Sequence, residues 1–394
     1  MLRDLREGRS MLGLLPEGVD SSLLRSALLD GLEHFLHIEK IAISDLDAQM
    51  PAAALGQAMR VDWNASTTPR TVENLLKKAS LPEVLFLEDF NELTEKGRVQ
   101  WLQFMARWAR ECQGGDYADT SPPALCLLAE AAKVPYSFSS TKTPLLSIHV
   151  WRGIPATAEM QMLCQRVGGQ DTTPLRYWKE YTIPSIAGSD LELADYLWEE
   201  EYCDGRTLAV VLKAFAEKRD WNQAELQAYP VHGPPQGTAY ELYDRPLSSS
   251  LHRAWSRGIV HWTKYGLDCN SAVLAMLGEQ EALDFRLWRG LNEFISPSIE
   301  RTRLALCDHF TKSYGPDWPL WKKPESNIES QAVSETPFAC SWGHLKFLLD
   351  DCPELAQEKR RWYRLVQCLW RIRNELSHGN PISLQEYEEF CRAT

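Results

Sequence analysis

The chain has 394 residues, 44% hydrophobic and 24% charged, which is enough for two or three domains with cores of their own. Asp and Glu (54) outnumber Lys and Arg (42), which excludes a protein that coats nucleic acid through overall positive charge. The N-terminus lacks the apolar core of a secretory signal, and no stretch reaches the roughly 18 apolar residues of a membrane helix. The ten Cys are scattered without zinc-site spacing. We therefore expect a cytoplasmic protein with reduced thiols, no metal site and no membrane partner.

Residues 1–168 alternate short apolar runs with helical patterns, which is typical of a parallel sheet flanked by helices. A helix is predicted over 23–35, after a turn at 16–22. Five apolar runs are predicted as strands: 10–15, 41–44, 83–89, 124–129 and 145–150. The sequence therefore predicts an N-terminal α/β domain over residues 1–168.

The first predicted turn lies where a P-loop protein binds phosphate. In a P-loop, G-x-x-x-x-G-K-[ST] supplies backbone N–H groups and a Lys to the phosphates. This turn contains Gly18, Ser21 and Ser22 but has no second Gly and no Lys. A later apolar run ends in Glu88 and Asp89, as does the strand that supplies carboxylates for Mg²⁺ in P-loop ATPases. In element order and in this strand end, residues 1–168 resemble an AAA+ or STAND-type P-loop ATPase domain with a degenerate Walker A loop.

That resemblance implies a weak nucleotide site at Gly18, Ser21, Ser22, Glu88 and Asp89. Because the Lys that pairs with the β- and γ-phosphates is missing, we expect little or no ATP hydrolysis. Two alternatives stay open. One is an α/β domain that binds no nucleotide, and the other is an active ATPase with an unorthodox phosphate loop and ATP with Mg²⁺ as its cofactor.

The rest of the chain has helical periodicity. Residues 169–244 are helix-rich and acidic and contain a Pro/Gly-rich stretch at 229–238, so we predict a helical lid or linker there. Residues 245–394 hold 19 Lys and Arg against 19 Asp and Glu, so the acidic excess belongs to the first part. We predict an all-α bundle of four or five helices over 245–394. The whole chain is therefore predicted to be multidomain.

The last long predicted helix carries an Arg, an Asn and a His close to its end, where Gly379 and Pro381 stop it. Asn374 and His378 are four residues apart and share a side, and the helix dipole favours a protonated imidazole in the last turn. Arg373 is spaced to fall on an apolar stripe, so we expect it to have a partner or to line a cleft. The stripe consists of Trp362, Val366, Leu369, Arg373 and Leu376.

Arg373-Asn374-x-x-x-His378 in a terminal helical bundle resembles the R-x4-6-H motif of HEPN domains, over roughly residues 245–394. HEPN domains are all-α, commonly dimeric and in many families are metal-independent ribonucleases of prokaryotic defence and toxin systems. The resemblance implies that Arg373 holds the scissile phosphate, His378 transfers protons and Asn374 orients one of them. It implies products with 2′,3′-cyclic phosphate ends and a site that needs no cofactor.

The same predicted helix is basic and aromatic. Six cations lie between residues 359 and 373 without one acid, and Trp side chains are interleaved with them. Such a pattern is typical of single-stranded nucleic-acid binding. The expected RNA-binding residues are Arg360, Arg361, Arg364, Arg371, Trp362 and Trp370.

Together these features predict a prokaryotic antiphage-defence protein that acts as a homodimer or with other proteins of a defence system. In this hypothesis the pseudo-ATPase domain senses or docks a partner and the HEPN-like domain cleaves RNA. The alternative is a non-catalytic adaptor subunit that assembles a multi-protein defence complex, since an Arg and a His five residues apart also occur by chance.

Overall fold

The computed structural model describes most of the chain. The described residues are 1–17, 19, 21–61, 70–78, 82–114, 123–140, 146–151, 157–169, 172–227, 247–263 and 266–393. Within them, no helix is both long enough and apolar enough to cross a membrane.

Helices and strands alternate through residues 1–153, with short 3₁₀ turns at Phe90–Glu92 and Ala131–Lys133. The strands are β1 Met11–Leu15, β2 Ile38–Ala42, β3 Val84–Glu88, β4 Ala124–Glu130 and β5 Ser147–Val150. The helices are α1 Leu2–Arg6, α2 Ser21–Leu32, α3 Pro51–Ala58, α4 Val72–Lys78, α5 Glu95–Gly114 and α6 Tyr136–Ser140.

The remainder of the described chain is mainly helical. It begins with α7 Thr157–Gly168, α8 Pro174–Ala187, α9 Leu191–Glu199, α10 Gly205–Lys218 and α11 Gln223–Gln227. Next come α12 Ser249–Ser256, β6 Val260–Thr263 and β7 Gly266–Cys269. The last helices are α13 Ser271–Leu277, α14 Gln280–Tyr314, α15 Asn327–Glu335, α16 Trp342–Asp351, α17 Ala356–Ser377 and α18 Leu384–Ala393.

The chain divides into two compact units. The α/β unit comprises Met1–Gly153 with Tyr229–Asp268, and the helical unit comprises Ile154–Ala228 with Cys269–Thr394. These units differ from the predicted division at residues 168 and 244, because the described part of Tyr229–Asp268 packs with the α/β unit. A compact unit is not necessarily a domain that folds by itself. The predicted domain bounds therefore stay a prediction.

Five strands of the described α/β unit form a parallel sheet in the order β2-β3-β4-β1-β5. The strands β1, β3 and β4 are buried along almost their whole length, as strands covered on both faces must be. Their near-continuous apolar sequences explain why the parallel α/β sheet was predictable, and that prediction is confirmed. The edge strand β2 is mostly exposed and begins three residues before the predicted run.

Alternate residues of β1 pack on opposite faces of the sheet. Met11 and Leu15 belong to a core with α1 and α2 that includes Leu28 and Leu32. Gly13 lies on the same face, where a Cβ would come within 2.5 Å of a Leu128 methyl carbon. A side chain at position 13 would therefore require the Leu128 side chain to move.

The helical unit is built around α14, a 35-residue helix. It packs against α8, where a Cβ at Gly290 would lie 2.4 Å from the backbone oxygen of Tyr181. The helix α17 packs against both α14 and α16. The C-terminal region is therefore predominantly helical, as predicted.

One part of the region predicted to be helical throughout is not helical. The apolar spacing that continues through Ile259 and Trp262 was predicted as one helical face, but α12 ends at Ser256 and Trp262 lies in β6. Gly258 has a φ of 70°, a backbone conformation that ends the helix. Buried side chains in a short strand next to a helix imitate a longer helical pattern.

Candidate functional site

The topology of the sheet locates the place where the α/β unit would bind a ligand. From β1 the chain goes to β2 at one edge of the sheet, whereas from β4 it goes to β5 at the other edge. β1 and β4 are neighbours, so the connections diverge between them. In open α/β sheets, ligands bind at such a switch point, outside the carboxyl ends of the strands. We call this position the sheet crevice.

The two acidic residues predicted to serve a nucleotide lie in different environments. Glu88 ends β3, and its Oε1 lies 3.0 Å from Nη1 of Arg25, which α2 supplies. Asp89 is exposed and has a φ of 62°, in the left-handed region. Glu88 is therefore already paired with a cation of the same unit.

The turn after β1 is engaged by a distant part of the chain. The backbone N–H of Glu17 donates to the backbone oxygen of Ser256 at 2.8 Å. The Glu17 carboxylate lies 3.6 Å from Nε of Arg257. Gly18 lies outside the described residues, as does the side chain of Ser21, and Ser22 is exposed.

The end of β4 is also engaged. The Glu130 carboxylate lies 3.1 Å from Nζ of Lys133. The backbone N–H of Glu130 donates to Oδ1 of Asn91. Among the described residues, no group of three or more His, Cys, Asp or Glu could hold a metal ion. The turn after β1 has no Lys, and Glu17, Glu88 and Glu130 each already have a cation beside them.

In the helical unit, the predicted apolar stripe of α17 is shifted at its last turns. The buried residues are Val366, Leu369, Ile372 and Leu376. Arg373 is exposed, so the prediction that it lies within the apolar stripe is wrong. A helix buries residues three and four positions apart, and at this turn Ile372 packs in the core instead of Arg373.

The three predicted catalytic residues lie at the end of α17. Arg373 Nη1 donates to Oδ1 of Asn374 at 3.3 Å. His378 is the exposed C-cap residue, and its backbone N–H donates to the oxygens of Asn374 and Glu375. In the described part of the chain no hydrogen bond joins Arg373 to His378. At 3.6 residues per turn, side chains five residues apart lie about 140° apart around a helix axis.

The basic residues of α17 divide into paired and unpaired cations. Arg371 pairs with Glu389 of α18, and Lys359 pairs with Asp350 of α16. Arg360 and Arg364 are exposed and, like Arg373, form no ion pair within the described residues. Helical spacing places Arg360, Arg364, Arg371 and His378 along the outer side of α17, opposite its buried stripe.

The two tryptophans predicted to stack on RNA bases already have cations over their rings. The Arg361 guanidinium carbon lies 4.5 Å from the ring centre of Trp362, and Nζ of Lys346 lies 5.2 Å from that of Trp370. Trp362 also donates its indole N–H to Glu358. A base could stack on the covered face of either ring only after the cation moved.

Sequence reasoning missed two acidic residues, Glu358 near Trp362 and Glu300 near Arg373. The carboxylate of Glu358 accepts from Trp362 and Tyr314 and lies 3.2 Å from Nε2 of His309. The pKa of Glu300 is lowered, mainly by a hydrogen bond from Arg303 and further by the charge of Arg373. The spacing of three between Glu300 and Arg303 was visible in the sequence, but their closeness to Arg373 depends on how α14 packs with α17.

No protein-family model matches this sequence, and comparison with curated proteins finds no match. Among solved structures, the chain is similar to the RuvB Holliday junction branch migration motor of Thermotoga maritima, at 11% identity and a TM-score of 0.32, covering 70% of this chain and 90% of that one. It is also similar to a STAND ATPase with a tetratricopeptide repeat sensor from Pyrococcus horikoshii, at 11% identity and a TM-score of 0.31. The alignment covers 100% of this chain and 57% of that ATPase.

These similarities are too distant to support an argument about function, so the class of fold is argued from the sheet alone. The parallel five-stranded sheet, with a turn and a helix after its first strand, defines the described α/β unit as a fold resembling P-loop ATPases. A predominantly helical unit accompanies it.

Proposed function

We propose that the helical unit cleaves RNA without a metal ion, using Arg373, Asn374 and His378 at the end of α17. Arg373 binds the scissile phosphate and Asn374 orients its guanidinium. His378 takes the proton of the 2′-hydroxyl, and the 2′-oxygen attacks the adjacent phosphorus. The bond from phosphorus to the 5′-oxygen breaks and that oxygen gains a proton, so the products are a 2′,3′-cyclic phosphate and a 5′-hydroxyl. RNA supplies its own nucleophile, so an imidazole and a phosphate-binding cation are enough.

The observation that carries this proposal is that Arg373 and His378 are both exposed and that Arg373 forms no ion pair within the described residues. Glu300 lies near enough for the charge of Arg373 to lower its pKa, but the hydrogen bonds of its carboxylate come from Arg303. An exposed guanidinium that no carboxylate contacts is available to a phosphate oxygen. The hydrogen bond to Asn374 limits the positions of the guanidinium without neutralising it.

The separation of Arg373 and His378 around α17 favours a site completed by a second copy of the chain. Two side chains on different sides of one helix do not readily contact the same phosphate. In a symmetric dimer, two patches of the same chain face each other across the axis. Arg373 of one copy and His378 of the other would then meet on one phosphate.

RNA reaches this site along the outer side of α17. Arg360 and Arg364 lie toward the beginning of the helix, and His378 lies at its end. Arg371 lies between them but already pairs with Glu389, so it contributes less. The α/β unit docks a partner and does not hydrolyse ATP. As the resemblance to HEPN domains implies, the wider role is in prokaryotic antiphage defence.

The test is incubation of the full chain with single-stranded RNA and total tRNA in EDTA. Wild type should yield fragments with 2′,3′-cyclic phosphate ends, and His378→Ala should lose at least about a hundredfold in rate, the usual contribution of a general acid or base. His34→Ala is the matched control, since His34 is an exposed His of the α/β unit. If wild type and His378→Ala both fail to cleave and a partner protein co-purifies with each, the chain is an adaptor instead.

A further inference from the structure

A segment from much later in the chain contacts both sides of the sheet crevice. This covering segment, residues 247–258, contains α12 and belongs to the α/β unit together with the sheet. More than a hundred residues separate it from β4 in sequence. Its position therefore depends on tertiary packing.

On the β1 side, the covering segment accepts a backbone hydrogen bond from the turn after β1. In a phosphate-binding loop, backbone N–H groups after the first strand point at the ligand. Here the N–H of Glu17 is satisfied by the carbonyl of Ser256, and the cation of Arg257 lies beside the Glu17 carboxylate.

On the β4 side, the segment packs against the turn and helix that follow the strand. The helix α12 contacts the turn Ala131–Lys133. The Tyr136 hydroxyl donates to the backbone oxygen of Leu247 at 2.6 Å, and the Tyr136 ring lies 5.2 Å from the ring of His252. The covering segment thus bridges the ends of the two strands between which the chain connections diverge.

The segment is held by apolar burial as well as by polar contacts. Trp255 is 1% exposed and Ala254 is fully buried. A buried indole removes on the order of 200 Å² from water, which stabilises a segment far more than one partly exposed ion pair. Displacing the segment therefore requires exposing a large apolar surface.

We propose that the covering segment occupies the sheet crevice as a built-in substitute for a nucleotide. The ion pair of Arg25 with Glu88 completes this arrangement, because it joins the helix after β1 to the end of β3 without a phosphate or a metal ion. The crevice is then filled without a nucleotide, and the docking proposed for the α/β unit does not depend on ATP. This inference is independent of RNA cleavage and stands if the helical unit proves inactive.

The test uses the full chain and two measurements. The first is the melting temperature with and without millimolar Mg²⁺ and ATP, since a ligand that binds only the folded state raises it. The second is hydrogen exchange, followed by mass spectrometry, of peptides that contain Glu17. Trp255→Leu loosens the segment while keeping an apolar side chain, and Arg253→Ala, on an exposed residue of the same helix, is the matched control.

The proposal expects no ATP-dependent change in the melting temperature of wild type. It expects exchange at Glu17 to become about tenfold faster in Trp255→Leu and to stay unchanged in Arg253→Ala. Should Trp255→Leu fail to fold, the result with ATP on wild type still decides. An ATP-dependent rise in melting temperature that Glu88→Gln abolishes would overturn the proposal. Unchanged exchange at Glu17 in folded Trp255→Leu would overturn it as well.

Discussion

The sheet crevice and the end of α17 both carry charged side chains, but these side chains have different partners. In the crevice, Glu88 and Glu17 pair with arginines of the same unit. At the end of α17, Arg373 contacts an amide instead of a carboxylate, and His378 is exposed. A charged group that already has an ion-pair partner is less available to a ligand than a guanidinium that no carboxylate contacts. This difference is the reason why we propose chemistry for the helical unit and docking for the α/β unit.

The strongest way to break this comparison is to mix two inactive variants. Arg373→Ala and His378→Ala are each expected to lose cleavage alone. If the site combines Arg373 of one copy with His378 of another, a mixed dimer has one intact site out of two. Since about half of the dimers are mixed after random exchange of equal amounts, the mixture recovers about a quarter of the wild-type rate. The rate is measured with a labelled RNA after the two purified variants are mixed and re-equilibrated. A mixture as inactive as its components would place both residues of each site on one copy.

Measurements of RNA affinity can distinguish the paired cations of α17 from the unpaired ones. Replacing Arg360 and Arg364 together by Ala should weaken binding and reduce the slope of log affinity against log salt by about 1.4, because each phosphate contact on a single strand contributes about 0.7. Arg371→Ala should change the slope less, since Glu389 already neutralises Arg371. Fluorescence anisotropy between low and physiological salt measures this. Equal slopes for the three proteins would remove the distinction.

Removing the carboxylate that caps α10, Asp204, should have a smaller effect, on the free energy of unfolding, and this effect should depend on pH. Asp204 caps α10 by accepting from the backbone N–H groups of Arg206 and Thr207, and the hydrogen bond from Thr207 lowers its pKa. Asp204→Ala should cost about 1 kcal/mol of unfolding free energy at neutral pH. Because the folded pKa is lowered, this stability is present above about pH 3.9 and is lost as pH falls through the folded pKa. Chemical denaturation at pH 7 and pH 3 checks that the difference shrinks in acid.

The smallest effect is expected at the ion pair of the crevice. Glu88→Gln removes the charge that holds Arg25, and both side chains are partly exposed, so the loss should be about 0–1 kcal/mol. ATP turnover should stay at background in wild type and in the variant alike. An ATPase rate in wild type that disappears in Glu88→Gln would make the crevice a working nucleotide site.

Local pattern predicted most of the sheet. Buried parallel strands such as β3 and β4 appear as continuous apolar runs, so their positions can be inferred from residues that are neighbours in sequence. The strand β2 was placed less well because as an edge strand it is largely exposed and gives a weaker signal. The covering segment was missed because Glu17 and Ser256 meet only through tertiary packing.

The catalytic residues stay a prediction, and their environment could not be inferred from the sequence. The order Arg373-Asn374 to His378 and the stop at Gly379 are local, and α17 ends as expected, with Gly379 at a φ of 81°. The exposure of Arg373 depends on which residue of the turn meets neighbouring helices, and here Ile372 does. The pairing of Arg371 with Glu389 and the cation over Trp370 likewise involve other helices.

The most direct test of the account is RNA cleavage by the full chain in EDTA and without nucleotide, with analysis of the product ends. Wild type should give 2′,3′-cyclic phosphate ends, and His378→Ala should lose at least about a hundredfold in rate. Cleavage that persists unchanged in His378→Ala, or that requires ATP, would contradict it.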